Sequence, residues 1–207
     1  MSRESPWPYR FAVFGSAVLS ALIGRAAFGS DKKDGGEMSL QMGQRYREIK
    51  IIVDKWTQLL IRVPSTVVLA IASQESGFNP SAINLSAKDG KRGGAWGLMQ
   101  ITAETAADVI KELKNSGNLL IAATLTRFNS GDAHTLLDPD LNVLLGIGYL
   151  NMLAKAFNND TTLVIAAYNR GRAGVEALLR SIGKTGIADL EYVRHVTAVR
   201  KQLESVA

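Results

Sequence analysis

The stretch from Ser73 to Gln100 reads SQESGFNPSAINLSAKDGKRGGAWGLMQ and places one glutamate, Glu75, between an apolar segment and a glycine-rich loop. Pro64 or Ser65 supplies a helix start, and the residues that follow are mostly apolar, which predicts a buried helix. Gly77 is expected to end this helix, because glycine commonly occupies the position just past a helix terminus. Glu75 is therefore predicted to lie in the last helical turn.

Two effects are expected to raise the pKa of the Glu75 carboxyl. The apolar helix withholds bulk water from it, and the negative end of the helix macrodipole disfavours an anion. A carboxylic acid that stays protonated near neutral pH is suited to general acid catalysis, for example on a glycosidic bond. The alternative is a solvated glutamate at a helix end, which is the ordinary state of a single Glu.

Four short motifs follow one another along the chain. They are E-S-x-F-x-P from Glu75, G-L-M-Q from Gly97, a segment from Asp138 similar to D-P-x-x-N-I, and A-A-Y-N-x-G from Ala166. In this order they resemble the soluble lytic transglycosylase family, relatives of goose-type lysozyme, over roughly Val63 to Val199. The resemblance implies a mostly α, lysozyme-like domain with a substrate groove that cleaves the MurNAc-GlcNAc β-1,4 bond of peptidoglycan.

The resemblance also implies roles for individual residues. Glu75 matches the catalytic acid, which in this family afterwards deprotonates the sugar's 6-hydroxyl, while the substrate's own N-acetyl group stabilises the cation. The product is a 1,6-anhydroMurNAc end, formed without water. The Tyr168 phenol is expected to reach Glu75 or the sugar. The resemblance implies close backbone approach at Gly97, an apolar contact from Met99 and an amide contact from Gln100. The substrate-binding positions that carry over are Ser86, Gly97, Met99, Gln100, Tyr168 and Asn169.

The loop between Glu75 and Gly97 departs from the family's common form, because it is longer and contains D-G-K-R-G-G from Asp89. This segment is similar to a loop of goose-type lysozymes in which a carboxylate positions water, so Asp89 is either a water-positioning residue or a solvated loop aspartate. Ser86 is the candidate for the family's loop serine. The family's late E-T-R-x-Y-V is matched only by Tyr192 and the valine after it, so no late glutamate carries over.

Three functional hypotheses follow from these residues. The first is a lytic transglycosylase. The second is a goose-type muramidase that hydrolyses the same bond with water, for which Asp89 would be the distinguishing residue. The third is a catalytically silent wall-binding or assembly protein. Glu75 together with Gln100 and Tyr168 argues against the third hypothesis, since a binding protein needs no acid at that position.

The composition limits the classes of protein and partner. The 207 residues, 46% of them hydrophobic, suffice for one domain with a sizeable core plus an appendage. The absence of cysteine excludes disulfides, thiolate nucleophiles and Cys-ligated zinc. His134 and His195 lack metal-ligand spacing, so neither a metal nor a cofactor is expected. A net charge of +5 favours an acidic partner, but without a basic stripe interleaved with aromatics nucleic acid is disfavoured.

Residues 11–29 form an apolar segment interrupted only by Arg25. The uninterrupted run is shorter than the about 20 apolar residues of a spanning helix, and its many small residues gain little from lipid. It is interpreted as a hydrophobic N-terminal helix that is a cleaved signal peptide, a permanent anchor or an anchor that is released. The released anchor is the favoured interpretation. A protein with such a segment resembles the signal-anchor-release endolysins of bacteriophages, which lyse the host.

Arg3 and Arg10 favour a cytoplasmic N-terminus, which predicts a wall-side, periplasmic domain initially tethered to the inner membrane. The predicted organisation is an N-terminal segment at 1–29, a flexible linker at 30–44 and the lysozyme-like domain at 45–207. Within that domain, apolar periodicity predicts helices and one short strand in the 90–101 loop. The predicted helix starts are Arg45, Pro64 or Ser65, Thr102, Asn118, Asp138 and Thr161 or Thr162. Gly171 and Gly174 flank a further predicted start, and a last helix is predicted after a turn from Gly183 to Gly186.

Overall fold

The computed structural model describes residues 33–60, 62–85 and 94–205, and most of this part of the chain is helical. The elements are the helices α1 (Lys33–Leu59) and α2 (Ser65–Ser76), the strands β1 (Ile83–Asn84) and β2 (Ala95–Trp96), the helices α3 (Ala103–Leu113) and α4 (Leu119–Leu125), the 3-10 helix Ala133–Leu137, and the helices α5 (Pro139–Ala156), α6 (Thr161–Ala188) and α7 (Glu191–Ser205).

Helix α1 begins earlier than predicted. The chain is helical from Lys33, so the prediction of a flexible linker at 30–44 is wrong from that residue onward. Glutamate, methionine, leucine and glutamine between residues 37 and 44 are strong helix formers, and they extend the helix despite the nearby glycines. The predicted hydrophobic helix at 11–29 lies outside the described residues. Within the described ranges, no helix has the length and apolar character needed to cross a membrane.

Several other helix ends follow the predicted signals. The side chains of Thr102, Asn118 and Asp138 each accept hydrogen bonds from backbone N–H groups two or three residues further along. Pro139 fills the first helical position after Asp138, where its missing N–H has no cost. Gly77 ends α2 in the left-handed conformation, with a φ of 59°. These caps are local, which is why the sequence reveals them.

Helix α5 occupies the centre of the core. Eleven of its 18 residues are buried, and α1, α3 and α6 pack around it. Such a helix is apolar over most of its surface because other helices cover most of it. Helix α6, which follows it, is interrupted at Gly171 and Gly183, where φ is 71° and 65°. Breaks near both glycines were predicted from the sequence.

Two further contacts shape the region around Glu75. Helices α2 and α7 run antiparallel, because Tyr192 at the start of α7 bonds Glu75 at the end of α2, while Thr66 donates a hydrogen bond to Glu204 at the opposite ends. Strands β1 and β2 form a two-stranded antiparallel sheet. Strand β2 lies inside the range predicted for a short strand, whereas its partner β1 was not predicted.

Candidate active site

Glu75 lies half-buried in the last turn of α2, where the sequence places it. Removal from water raises the pKa of its carboxyl to about 7, and the hydrogen bond that the Tyr192 hydroxyl donates to Oε1 at 2.5 Å lowers it. Burial outweighs the hydrogen bond, because the charged form loses more solvation than one neutral donor restores. The predicted direction of the pKa is confirmed, and near neutral pH the group exchanges a proton readily.

Tyr192 is the contact of Glu75 that sequence reasoning missed. Its side chain is buried, and burial together with the negative charge of Glu75 raises the pKa of the phenol well above its ordinary value. The phenol therefore stays protonated and acts as a donor toward Glu75. The sequence contains a signal for this residue, because Tyr192 is the tyrosine of the partly matched motif E-T-R-x-Y-V. The sequence does not show, however, which helix the Tyr192 side chain faces.

Tyr168 lies close to the same carboxyl without bonding it. Its hydroxyl donates a hydrogen bond to the backbone carbonyl of Met99 at 2.7 Å, and burial, followed by the charge of Glu75, raises the pKa of the phenol. Of the two expected partners of the Tyr168 hydroxyl, Glu75 is therefore corrected, because Tyr192 makes that contact, and the sugar stays a prediction. Tyr168 instead ties the G-L-M-Q turn to helix α6.

Met99 also has a different role from the one implied by the resemblance. Its side chain is fully buried and packs over Gly146, where an added Cβ would lie 2.2 Å from the Met99 sulfur. A side chain enclosed in this way does not line a groove, so the implied apolar substrate contact is corrected. What Met99 offers toward the site is its backbone carbonyl, which Tyr168 holds in place.

Asn142 explains both the shape of this turn and the glycine within it. Its side-chain amide is buried, accepts a hydrogen bond from the Met99 N–H at 2.8 Å, and donates to the carbonyls of Trp96 at 2.7 Å and Leu136 at 2.8 Å. Gly97 has a φ of 73°, and a Cβ there would lie 2.6 Å from the Asn142 amide nitrogen. Close packing against Asn142 therefore requires glycine at position 97.

Gln100 and Asn169 complete the set of predicted positions that the structure describes. The Gln100 amide donates to the carbonyls of Gly97 at 2.9 Å and Ala82 at 3.2 Å, which joins the turn to the chain before β1. Asn169 follows Tyr168 on α6 and is buried, with 6% of its surface exposed. Ser86 and Asp89 lie outside the described residues. Tyr168 thus lies near Glu75 and bonds the Met99 carbonyl, and Gln100 and Asn169 are the residues that directly follow Met99 and Tyr168 in the chain.

A family model described as "Transglycosylase SLT domain" matches residues 57–190, which is more than half of the chain. The chain belongs to the transglycosylase SLT domain family. The match contains α2, the G-L-M-Q turn, α5 and all of α6, and it therefore includes Glu75. It ends before Tyr192, so the hydrogen-bond donor to Glu75 lies just outside the matched range.

Similar proteins of known name agree with this family. The chain is 32% identical over 117 residues to the soluble lytic murein transglycosylase of Escherichia coli K12, covering 56% of this chain and 15% of that protein. It is 32% identical over 121 residues to the membrane-bound lytic murein transglycosylase C of Photorhabdus laumondii, covering 55% and 29%.

Among solved structures, the 70-kDa soluble lytic transglycosylase of Escherichia coli is similar with a TM-score of 0.51 and 28% identity, covering 70% of this chain and 23% of that one. The part of each of these relatives that this chain matches is less than a third of the relative's length. The shared fold is the mostly helical, lysozyme-like one that the sequence motifs imply.

Proposed function

We propose that this chain is a peptidoglycan lytic transglycosylase that cleaves the MurNAc-GlcNAc β-1,4 bond with Glu75 as its acid. The observation that carries the proposal is the state of Glu75, a carboxyl with a pKa of about 7 in a member of the SLT domain family. A group with this pKa is protonated often enough to donate and ionised often enough to accept at neutral pH. A catalytically silent wall-binding protein would gain nothing from it.

The proposed reaction uses this one carboxyl twice. Glu75 gives its proton to the glycosidic oxygen, the bond from that oxygen to C1 of MurNAc breaks, and GlcNAc leaves with a free 4-hydroxyl. The substrate's acetamido group stabilises the cation at C1. The Glu75 carboxylate then takes the proton of the MurNAc 6-hydroxyl while that oxygen bonds to C1, which closes the 1,6-anhydro ring without water and restores the acid.

The neighbours of Glu75 support the second half of this cycle. When Glu75 becomes a carboxylate, the Tyr192 hydroxyl is already in place to donate to it at 2.5 Å. The Gln100 amide protons are both directed to backbone carbonyls, and within the described residues its Oε1 accepts no hydrogen bond. Gln100 Oε1 and the amide of Asn169 are therefore the groups proposed to bind the sugar's acetamido and hydroxyl groups.

Product analysis tests the proposal and separates it from hydrolysis. We expect purified peptidoglycan digested by the full chain to yield MurNAc ends that are 1,6-anhydro by mass spectrometry. Digestion in water labelled with heavy oxygen should leave these ends unlabelled. Labelled reducing ends would contradict the proposal and favour the muramidase alternative, in which Asp89 positions water and Asp89→Asn would then lower the rate.

Tyr192→Phe should shift the pH dependence of activity to higher pH. The hydrogen bond from Tyr192 lowers the pKa of Glu75, so its removal raises that pKa above about 7 and keeps the acid protonated further into the alkaline range. Because a hydrogen bond to a charged group contributes about 1.5 to 3 kcal/mol, activity at neutral pH should also fall, by roughly ten- to a hundredfold. Rates from pH 5 to 9 on purified peptidoglycan provide the measurement.

Tyr168→Phe is the matched control for this shift. It removes a phenol of similar burial whose hydroxyl bonds the Met99 carbonyl and not Glu75. The pH at which activity falls on the alkaline side should therefore be the same as in the parent chain, even if the rate itself changes. An alkaline limb that moves equally in both variants, or in neither, would contradict the assigned role of Tyr192.

The proposed biological context is host lysis by a phage endolysin acting on the periplasmic side of the inner membrane. It rests on the sequence of residues 11–29, a small-residue apolar segment interrupted by Arg25, proposed as a releasable tether that precedes the domain at 45–207. N-terminal sequencing of the protein recovered from the periplasm should find residues 11–29 intact in the soluble fraction. A start at residue 27 or 30 would instead indicate a cleaved signal peptide.

A further inference from the structure

Helix α1 contacts the turn that follows Glu75 through an aromatic pair. The ring of Tyr46 on α1 packs edge-on against the ring of Phe78, with centroids 5.7 Å apart and planes at 67°. Phe78 lies three residues after Glu75 and is buried, with 3% of its surface exposed. The family match begins at residue 57, so it includes this turn but not the tyrosine that packs on it.

The backbone of this turn takes a conformation that a bulky residue rarely adopts. Gly77 and Phe78 have consecutive φ values of 59° and 60°, both in the left-handed region. Glycine tolerates this region, whereas the Cβ of phenylalanine crowds its own backbone there. A strained residue keeps such a conformation only where the surrounding structure holds it. Phe78 therefore depends on the contacts of its ring, and Tyr46 supplies one of them.

The strained turn is joined directly to the helix end that carries Glu75. The Asn79 N–H donates a hydrogen bond to the carbonyl of Ser76 at 3.2 Å, which closes the turn around Phe78. Ser76 is the last residue of α2 and directly follows Glu75. If Phe78 relaxes to a negative φ, this hydrogen bond is lost and the last turn of α2 frays. The Glu75 carboxyl then moves from the place where the Tyr192 hydroxyl bonds it at 2.5 Å.

We propose that Tyr46 is a positioning residue for Glu75 and acts through Phe78. The Tyr46 ring holds Phe78 in its strained conformation, and the fixed turn keeps the Glu75 carboxyl buried and in place for the bond that is cut. This rests on the proposed function, since it assigns a further residue to the same site. The Tyr46 hydroxyl forms no hydrogen bond within residues 33–60, 62–85 and 94–205, so the ring alone carries the effect.

Tyr46→Ala tests this role through the rate and the pH profile of peptidoglycan cleavage by the full chain. We expect the rate at saturating substrate to fall roughly 10- to 100-fold, as for a misplaced catalytic group, with the half-saturating concentration within about twofold of the parent. Water that reaches Glu75 should lower its pKa from about 7 toward 4.5, because burial is the main cause that raises it. The alkaline limb should therefore move to lower pH, opposite to the shift expected for Tyr192→Phe. Tyr192 and Tyr168, the phenols whose pKa the charge of Glu75 raises, are unchanged in this variant.

Two control variants separate positioning from a general loss of stability. Tyr46→Phe keeps the ring and should retain the rate and the pH profile of the parent. Trp56→Phe removes the indole N–H that bonds Asp140 at 2.9 Å, so it weakens the docking of α1 on α5 and leaves the pair of Tyr46 and Phe78 in place. Trp56→Phe should lower the free energy of unfolding in urea, as Tyr46→Ala does, while its rate stays within about threefold of the parent.

Tyr46→Leu replaces Tyr46→Ala in the test if circular dichroism shows that the alanine variant does not fold. It keeps much of the apolar volume without an aromatic edge, and its rate should fall by about threefold or more. An unchanged rate or an unmoved alkaline limb in the folded variant would overturn the proposal, as would an equal loss of rate in Tyr46→Phe or Trp56→Phe. The proposed function fails on a different result, namely no 1,6-anhydro product from the unsubstituted chain, so the two failures are distinguishable.

Discussion

Glu75→Gln is expected to lower peptidoglycan cleavage by about two to four orders of magnitude, the range typical of removing a general acid. Glutamine has nearly the same shape and keeps an oxygen that accepts the Tyr192 hydrogen bond, so the fold should persist. The glutamine amide is too weak an acid to protonate the glycosidic oxygen. Release of soluble fragments from purified peptidoglycan measures the loss, and circular dichroism checks the fold.

The same substitution should change how stability depends on pH. The folded-state pKa of about 7 exceeds the ordinary value of 4.5, so the folded chain holds the Glu75 proton more tightly than the unfolded chain does. Stability is therefore lost as the pH rises from about 4.5 through 7, and Glu75→Gln should lack this contribution. Cleavage within threefold of the parent, or an unchanged dependence of stability on pH, would contradict the assignment of Glu75.

Asn142→Ala is the second change with a large expected effect, in this case on stability. It removes the partner of three buried backbone groups, the Met99 N–H and the carbonyls of Trp96 and Leu136. Since an unsatisfied buried group costs about 1 to 3 kcal/mol, we expect the free energy of unfolding to fall by about 3 to 5 kcal/mol. Urea denaturation followed by circular dichroism gives this value.

Asn151→Ala is the control for Asn142, because it removes the same side chain from the same helix. The Asn151 amide makes one hydrogen bond, to the carbonyl of Leu60 at 3.3 Å. Its loss should lower the free energy of unfolding by about 1 kcal/mol. Equal losses in the two variants would show that the Asn142 network does not hold the G-L-M-Q turn in the way described.

The helix limits were largely predictable because they depend on neighbours in the chain. Thr102, Asn118 and Asp138 cap their helices through backbone groups only two or three residues away, and Gly77 ends α2 through its own backbone conformation. Glu75 could be found for a similar reason, because a short motif surrounds it. The early start of α1 was missed, since glycines there suggested a linker although the residues between them favour a helix.

Contacts between distant parts of the chain account for what the sequence did not reveal. Tyr192 lies 117 residues after Glu75, and only the antiparallel packing of α2 and α7 brings them together. The resemblance implies an apolar substrate contact for Met99, whereas its side chain is fully buried against Gly146. Gly97 stays a predicted substrate-binding position, and the fold adds its close packing against Asn142. The sequence motif shows that the residue type at such a position is restricted, and the tertiary structure shows which neighbouring residue restricts it.

The titration of Glu75 itself tests the central claim most directly. Carbon-13 NMR of the full chain labelled at glutamate carboxyls, with Glu75→Gln used to assign the signal, gives the pKa of this group. We expect a midpoint near pH 7, and a rate of peptidoglycan cleavage whose alkaline limb falls at the same pH. A midpoint near the ordinary value of 4.5, or a cleavage rate that does not follow the titration, would contradict the central claim.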